Sequence, residues 1–130
     1  MLLNAYDLGK CGIEQVLCVG RVSFDTKGIA DGVVLVELPE NIIITKAVAV
    51  IKTPFNAATT NVLTVGVNDN ADDLLGTDDV TEGTAGAYQK DMFKIYKGNK
   101  VNVRAKYTST GDAATAGEAE IYLNVVRIPE

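Results

Sequence analysis

The sequence predicts an all-β protein, an antiparallel β-sandwich of seven or eight strands in a jelly-roll arrangement. Three observations carry that expectation. Apolar residues recur with period two in segment after segment. Clusters of Gly, Pro, Asn and Asp separate those segments at short intervals. Only one short stretch carries helix signals. The 130 residues, 47% of them hydrophobic, are enough to bury a core without metal or disulfide staples, and too apolar for a disordered chain. Residues 1–130 therefore read as a single domain, with 1–12 as an N-terminal arm. No apolar run approaches the ~20 residues that span a bilayer. The first residues lack the basic start and long apolar stretch of a signal peptide, so synthesis in a cytoplasm is expected.

The elements follow in order. Gln15 to Phe24 reads as a strand containing Val16, Cys18 and, with a bulge at Gly20, Val22. Val33 to Leu38 follows the Asp31-Gly32 turn signal and stops at Pro39, which has no N–H for a ladder. Ile42 to Lys52 is apolar on both faces: Ile42, Ile44, Val48 and Val50 on one, Ile43, Ala47, Ala49 and Ile51 on the other. That suits a central strand, or one touching a partner subunit. Asn61 to Asn68 turns Leu63, Val65 and Val67 inward, with Gly66 marking a bulge or a close backbone approach. Asn70 to Gly76 carries the helix signals: a capping asparagine, acids in the first turn, and a terminating glycine. One short helical turn is expected there. Ala87 to Tyr96 is a less regular strand anchored by Met92 and Phe93. Lys100 to Tyr107 alternates strictly, with Val101, Val103, Ala105 and Tyr107 on the core side. Glu118 to Ile128 does the same with Ala119, Ile121, Leu123 and Val125.

Composition excludes much chemistry. With no histidine, Ser-His-Asp and Cys-His hydrolysis, histidine-ligated metals and histidine pH switches are all absent. The formal charge of −5 argues against general nucleic-acid binding, which needs clustered Lys and Arg. Cys11 and Cys18 match no CxxC pattern. Cys18 reads as a reduced core residue, with a disulfide or a reactive thiol as the alternatives. No cofactor is implied.

The strongest local anomaly is 69–82, which holds Asp69, Asp72, Asp73, Asp78, Asp79 and Glu82, while no base occurs between Lys52 and Lys90. Those six are a large share of the 17 acids; without them 11 acids face 12 bases. The acidity belongs to one segment. Asn68, Asn70, Asp72 and Asp79 stand at loop positions where oxygen ligands could hold calcium. Asp73, however, occupies the place where an EF-hand loop needs glycine. The plainer reading is a solvated acidic loop. Paired carboxylates could hydrolyse glycosides, but nothing fixes their separation and there is no tryptophan to stack a sugar. Tyr88, Tyr96, Tyr107 and Tyr122 could line a glycan face or simply pack. Lys90, Lys94, Lys97, Lys100 and Lys106 read as a solvated face, or as a complement to an acidic partner surface such as a neighbour's acidic loop. The glycine-rich 83–86 and 108–117 have no phosphate-loop spacing. The second reads as a flexible hairpin tip that a neighbouring molecule could order.

Two runs carry a resemblance. Ile43-Ile44-Thr45-Lys46-Ala47-Val48-Ala49-Val50 with Thr53-Pro54-Phe55-Asn56-Ala57-Ala58-Thr59-Thr60-Asn61-Val62-Leu63-Thr64-Val65-Gly66 is one. Tyr107-Thr108-Ser109-Thr110-Gly111-Asp112-Ala113-Ala114-Thr115-Ala116-Gly117-Glu118-Ala119 is the other. Together they cover about a quarter of the chain and resemble small virion structural proteins of tailed bacteriophages and prophages. The resemblance implies a non-enzymatic, capsid-associated protein of decoration or head-fibre type, or a related tail component. It also implies symmetric copies, a location in the virion, and synthesis in a bacterial host. The two-sided Ile42–Lys52 strand suits a homo-oligomer, with a trimer matching three-fold positions on a capsid. The expected partners are then the protein itself and a major capsid or other virion protein, with no nucleic acid and no membrane. No site residues carry over, because these motifs mark strands and turns. The alternative is a glycan- or calcium-binding β-sandwich module, such as a tail or fibre receptor-binding domain.

Overall fold

The computed structural model describes residues 12–129, so Cys11 and almost all of the expected N-terminal arm lie outside the described residues. Eight strands form: β1 (Glu14–Ser23), β2 (Val33–Leu38), β3 (Ile42–Thr53), β4 (Thr60–Val67), β5 (Asn70–Leu75), β6 (Gly86–Tyr96), β7 (Val101–Thr110) and β8 (Glu118–Arg127). They make two four-stranded antiparallel sheets, ordered β1-β8-β3-β6 and β2-β7-β4-β5. The pairing is nested. The first strand pairs with the last, the second with the seventh, the third with the sixth, and the fourth with the fifth. The chain is in effect one long hairpin, tipped at the β4–β5 turn and rolled so that its inner faces meet.

Period two explains the packing. On β7, Val101, Val103, Ala105 and Tyr107 are buried; on β8, Ala119, Ile121, Leu123 and Val125 are buried, each set alternating with polar residues. β2 contributes Val36 and Leu38, and β4 contributes Leu63, Val65 and Val67. These side chains belong to one continuous apolar core between the sheets. Burying each Val, Leu or Ile among them contributes about 1.5–3 kcal/mol.

Bulges shift several faces from the expected ones. The β1–β8 register slips between Cys18 and Gly20. A one-residue bulge inverts parity, so Val16 and Val22 cannot share a face. Leu17, Val19 and Val22 point inward, while Val16 and Cys18 are exposed. Cys18 is thus a free surface thiol rather than a core residue. β3 slips between Ile44 and Lys46 against both of its neighbours. Ile42, Ile44, Ala47, Ala49 and Ile51 therefore line the core, and Ile43, Val48 and Val50 lie on the outer face. On β6, Met92 packs on the core, but Phe93 points into solvent.

The expected helical turn is a strand. Val65 pairs with Leu75 and Val67 with Asn70, so 71–74 arch over Gly66 as a wide bulge in β5. The arch buries Leu74 and Leu75 consecutively. It also covers the outer face of β4, whose last five residues are all buried. Asp73 Oδ1 accepts the Val67 N–H at 3.0 Å, so that acid serves the bulge and caps no helix. Gly76 ends β5 in a turn. Asp79 Oδ2 accepts the Gly76 N–H at 2.7 Å, and the Asp79 N–H returns to the Gly76 carbonyl at 3.2 Å.

Candidate interaction surface

The outer face of the β1-β8-β3-β6 sheet carries most of the apolar surface that the core leaves out. Its strands line up in level rows. Glu14, Val126, Ile43 and Ile95 form the first, and Val16, Asn124, Lys46 and Asp91 the second. Cys18, Tyr122, Val48 and Gln89 form the third; Arg21, Glu120, Val50 and Ala87 the fourth. Among the described residues, five large apolar side chains stand at least half in solvent. Ile13, Val16 at 66%, Phe93 at 69% and Ile95 sit on the edges of this sheet, and Val34 sits on the other. The polar members of the face are tied down locally. Arg21 Nη2 donates to Glu120 Oε2 at 2.9 Å, Lys52 Nζ lies 3.5 Å from Glu120 Oε1, and the Tyr122 hydroxyl donates to the same oxygen at 3.2 Å. The bond from Arg21 is the main reason the Glu120 carboxyl titrates below its ordinary range. Thr45 Oγ1 donates to Glu14 Oε2 at 2.5 Å.

The acidic segment is held within its own chain. Lys90 Nζ lies 3.2 Å from Asp79 Oδ2, and Lys94 Nζ lies 4.0 Å from Asp73 Oδ2, so β6 lysines clip the β6 edge to the β5 side of the sandwich. The Gly76 N–H, then Lys90, holds the Asp79 carboxyl below its ordinary range. Burial, and secondarily the Asp73 charge, pushes the Tyr96 phenol up to about 12. Of the four residues named for a cation, Asp79 is engaged in this way. Asn68 sits at the β4–β5 turn with φ 53°, and its Oδ1 accepts the Asn102 N–H at 3.0 Å. Asn70 and Asp72 are exposed on β5. Among the described residues, no three acidic or cysteine side chains gather as a metal-ligand group.

Glu82 is different. It is only 7% exposed, and its Oε2 accepts the Leu63 N–H at 2.9 Å while its carbonyl accepts the Phe55 N–H at 2.9 Å. Burial pushes its carboxyl above the ordinary range, although the N–H groups of Leu63 and of Glu82 itself pull it down. The folded state therefore holds this proton more tightly than the unfolded chain. The stability it contributes is fully present below the unfolded value and is lost as pH rises through the folded one. Glu82→Gln keeps an acceptor for Leu63 and removes that loss. In urea titrations at pH 4 and pH 7, the variant is expected to gain on the wild type at the higher pH. A variant that loses ground there contradicts the assignment.

The remaining expected features are dispersed. Tyr107 lies in the core, its ring 4.7 Å from that of Phe55, and its hydroxyl donates to Asn61 Oδ1 at 2.5 Å. Tyr88 packs on the core and donates to the Thr84 carbonyl at 2.7 Å. Tyr122 is on the outer face, so the tyrosines form no common sugar platform. The 108–117 tip is ordered by its own chain rather than awaiting a neighbour. Asn56 Oδ1 accepts the N–H groups of Thr115 and Ala116 at 2.8 and 3.0 Å, and the Ala58 N–H donates to the Asp112 carbonyl at 3.0 Å. A pocket of about 200 Å³ lies over β7 beside Arg104, whose Nη2 donates to the Gly32 carbonyl at 3.1 Å. Asp31 and Asp69 balance Arg104 and Lys106 around it, so it favours neither sign of charge.

Comparison with known proteins bears on this fold. No family model matches the chain, and none of the curated proteins matches it significantly. Among solved structures, a chain of the cyanophage Pam1 capsid asymmetric unit superposes with a TM-score of 0.63. The match covers 98% of this chain and 93% of that one, at 19% sequence identity. The two share a fold. The likeness extends over nearly the whole of both chains, so it concerns the complete sandwich and not a fragment of it.

Proposed function

We propose that this chain is a structural protein of a phage particle, bound to the capsid and associating with copies of itself. The observation that carries the proposal is the near full-length match to a chain of a phage capsid. The sequence resemblance to small virion proteins points the same way from other grounds. We read the nested strand order as a jelly roll and the whole sandwich as one domain. The outer face of the first sheet supplies an apolar surface for assembly, and three copies around a local three-fold are the arrangement we favour. The chemistry assigned is binding, with no catalytic step.

The test is sedimentation with particles. Purified protein added to phage heads that lack it is expected to pellet with them to saturation. Protein that stays in the supernatant at every ratio overturns the proposal.

A further inference from the structure

We propose that the two open edges of the first sheet meet between copies, β6 of one pairing with residues 13–18 of the next, to close a ring. This rests on the self-association proposed above and names its surfaces. β1 and β6 are the edge strands of that sheet, and an edge presents unpaired backbone N–H and C=O groups to a second chain. Four of the five exposed large apolar side chains among the described residues are on these two edges: Ile13 and Val16 on one, Phe93 and Ile95 on the other. Toward its end β1 is approached by β2, where Gly20 lies against Leu35, so the open part of the edge is the part before it.

Direction and level both fit. β1 runs antiparallel to β8, β8 to β3, and β3 to β6, so β1 and β6 run in opposite senses. A second copy set beside the first then continues the antiparallel ladder. With the ring's axis set along the strands, rotation brings no rise, so rows of the same level meet. Ile95 shares its row with Glu14, and Asp91 shares the next with Val16, with Phe93 between them on β6. Phe93 and Ile95 thus arrive at Val16 and Glu14 of the next copy.

Charge selects this pairing over like with like. On β6 the acid Asp91 is 3.8 Å from Lys46 of its own chain, leaving Lys97 just past the strand as the cation with no ion pair among the described residues. On β1 the base Arg21 is held by Glu120, leaving Glu14 as the acid with none among the described residues. Two β6 edges together would leave Lys97 uncompensated, and two β1 edges would leave Glu14 so. β6 against β1 brings one to the other.

The test is crosslinking in a background carrying Cys11→Ser and Cys18→Ser. With a short bis-maleimide, Val16→Cys and Phe93→Cys on the same chain are expected to give covalent multiples up to the closed ring. Each single variant is expected to stay at the mass of one chain. Covalent dimers from Phe93→Cys alone, or no multiples from the double variant, overturn the proposal. Phe93→Lys, at a site exposed in the single chain, is expected to keep a cooperative thermal transition while the solution mass falls to one chain and the midpoint no longer depends on protein concentration; a retained multimer contradicts the ring. Binding to particles is read separately by sedimentation, so a failed ring and a failed virion role give different results.

Discussion

Gly66→Ala is expected to cost at least ~3 kcal/mol, with the chain recovered mostly in the insoluble fraction. A Cβ built on Gly66 runs into the Asn70 carbonyl oxygen and the Ala71 backbone where β5 arches over β4. No rotamer relieves a clash with main chain. The only escape is to lift 70–74, which uncovers Leu74 and Leu75 and withdraws Asp73 from the Val67 N–H. Thermal denaturation of any soluble fraction checks this, with a fall of roughly 10 °C or more expected. An alanine variant with an unchanged midpoint would show that the arch is not as close as described.

Phe55→Ala is the second large effect, expected at about 3–5 kcal/mol. Phe55 is buried at 2% exposure and stacks at a tilt on Tyr107. Its N–H reaches the Glu82 carbonyl, and Gly117, at φ 149°, lies directly against its ring. The ring thus joins the β3–β4 loop to β7 and the β7–β8 tip, while the Phe55 main chain holds the β5–β6 loop. Removing the ring opens a cavity that three separately anchored loops cannot easily close. Urea unfolding measures the loss, and a change under about 1 kcal/mol would mean that the loops repack around the void.

The same residues show what a sequence can and cannot reveal. Strand positions were legible because period two is a local property: Val33–Leu38 and the core faces of β4, β7 and β8 could be read directly. Bulges hide their effect. Nothing within Ile42–Lys52 says where β3 slips, since both faces are apolar and either parity looks acceptable. At Gly20 the bulge could be suspected, yet its consequence for Val16 and Cys18 follows only once parity is inverted on one side of it. The β5 segment misled for a physical reason, because acids that accept main-chain N–H groups and a glycine at a turn serve a bulge as well as a capped helix: Asp73 accepts from Val67, and Gly76 turns against Asp79. The acidic segment was visible as a cluster, but its partners Lys90 and Lys94 lie on the far strand of another sheet. Of the candidate surface, the two-sided apolarity of β3 was legible and the exposed edges were not. Phe93 beside Met92 reads as core until the edge position of β6 is known.

The most direct test of a virion role is to purify the particles released by the host of this chain and map the protein on them. Quantitative mass spectrometry of the particles, with cryo-electron microscopy of the same sample, gives copy number and position together. A virion role predicts a fixed number of copies per particle, with the eight-stranded sandwich resolved as density on the capsid. Particles that lack the chain, with the protein left among the host's soluble proteins, would contradict it.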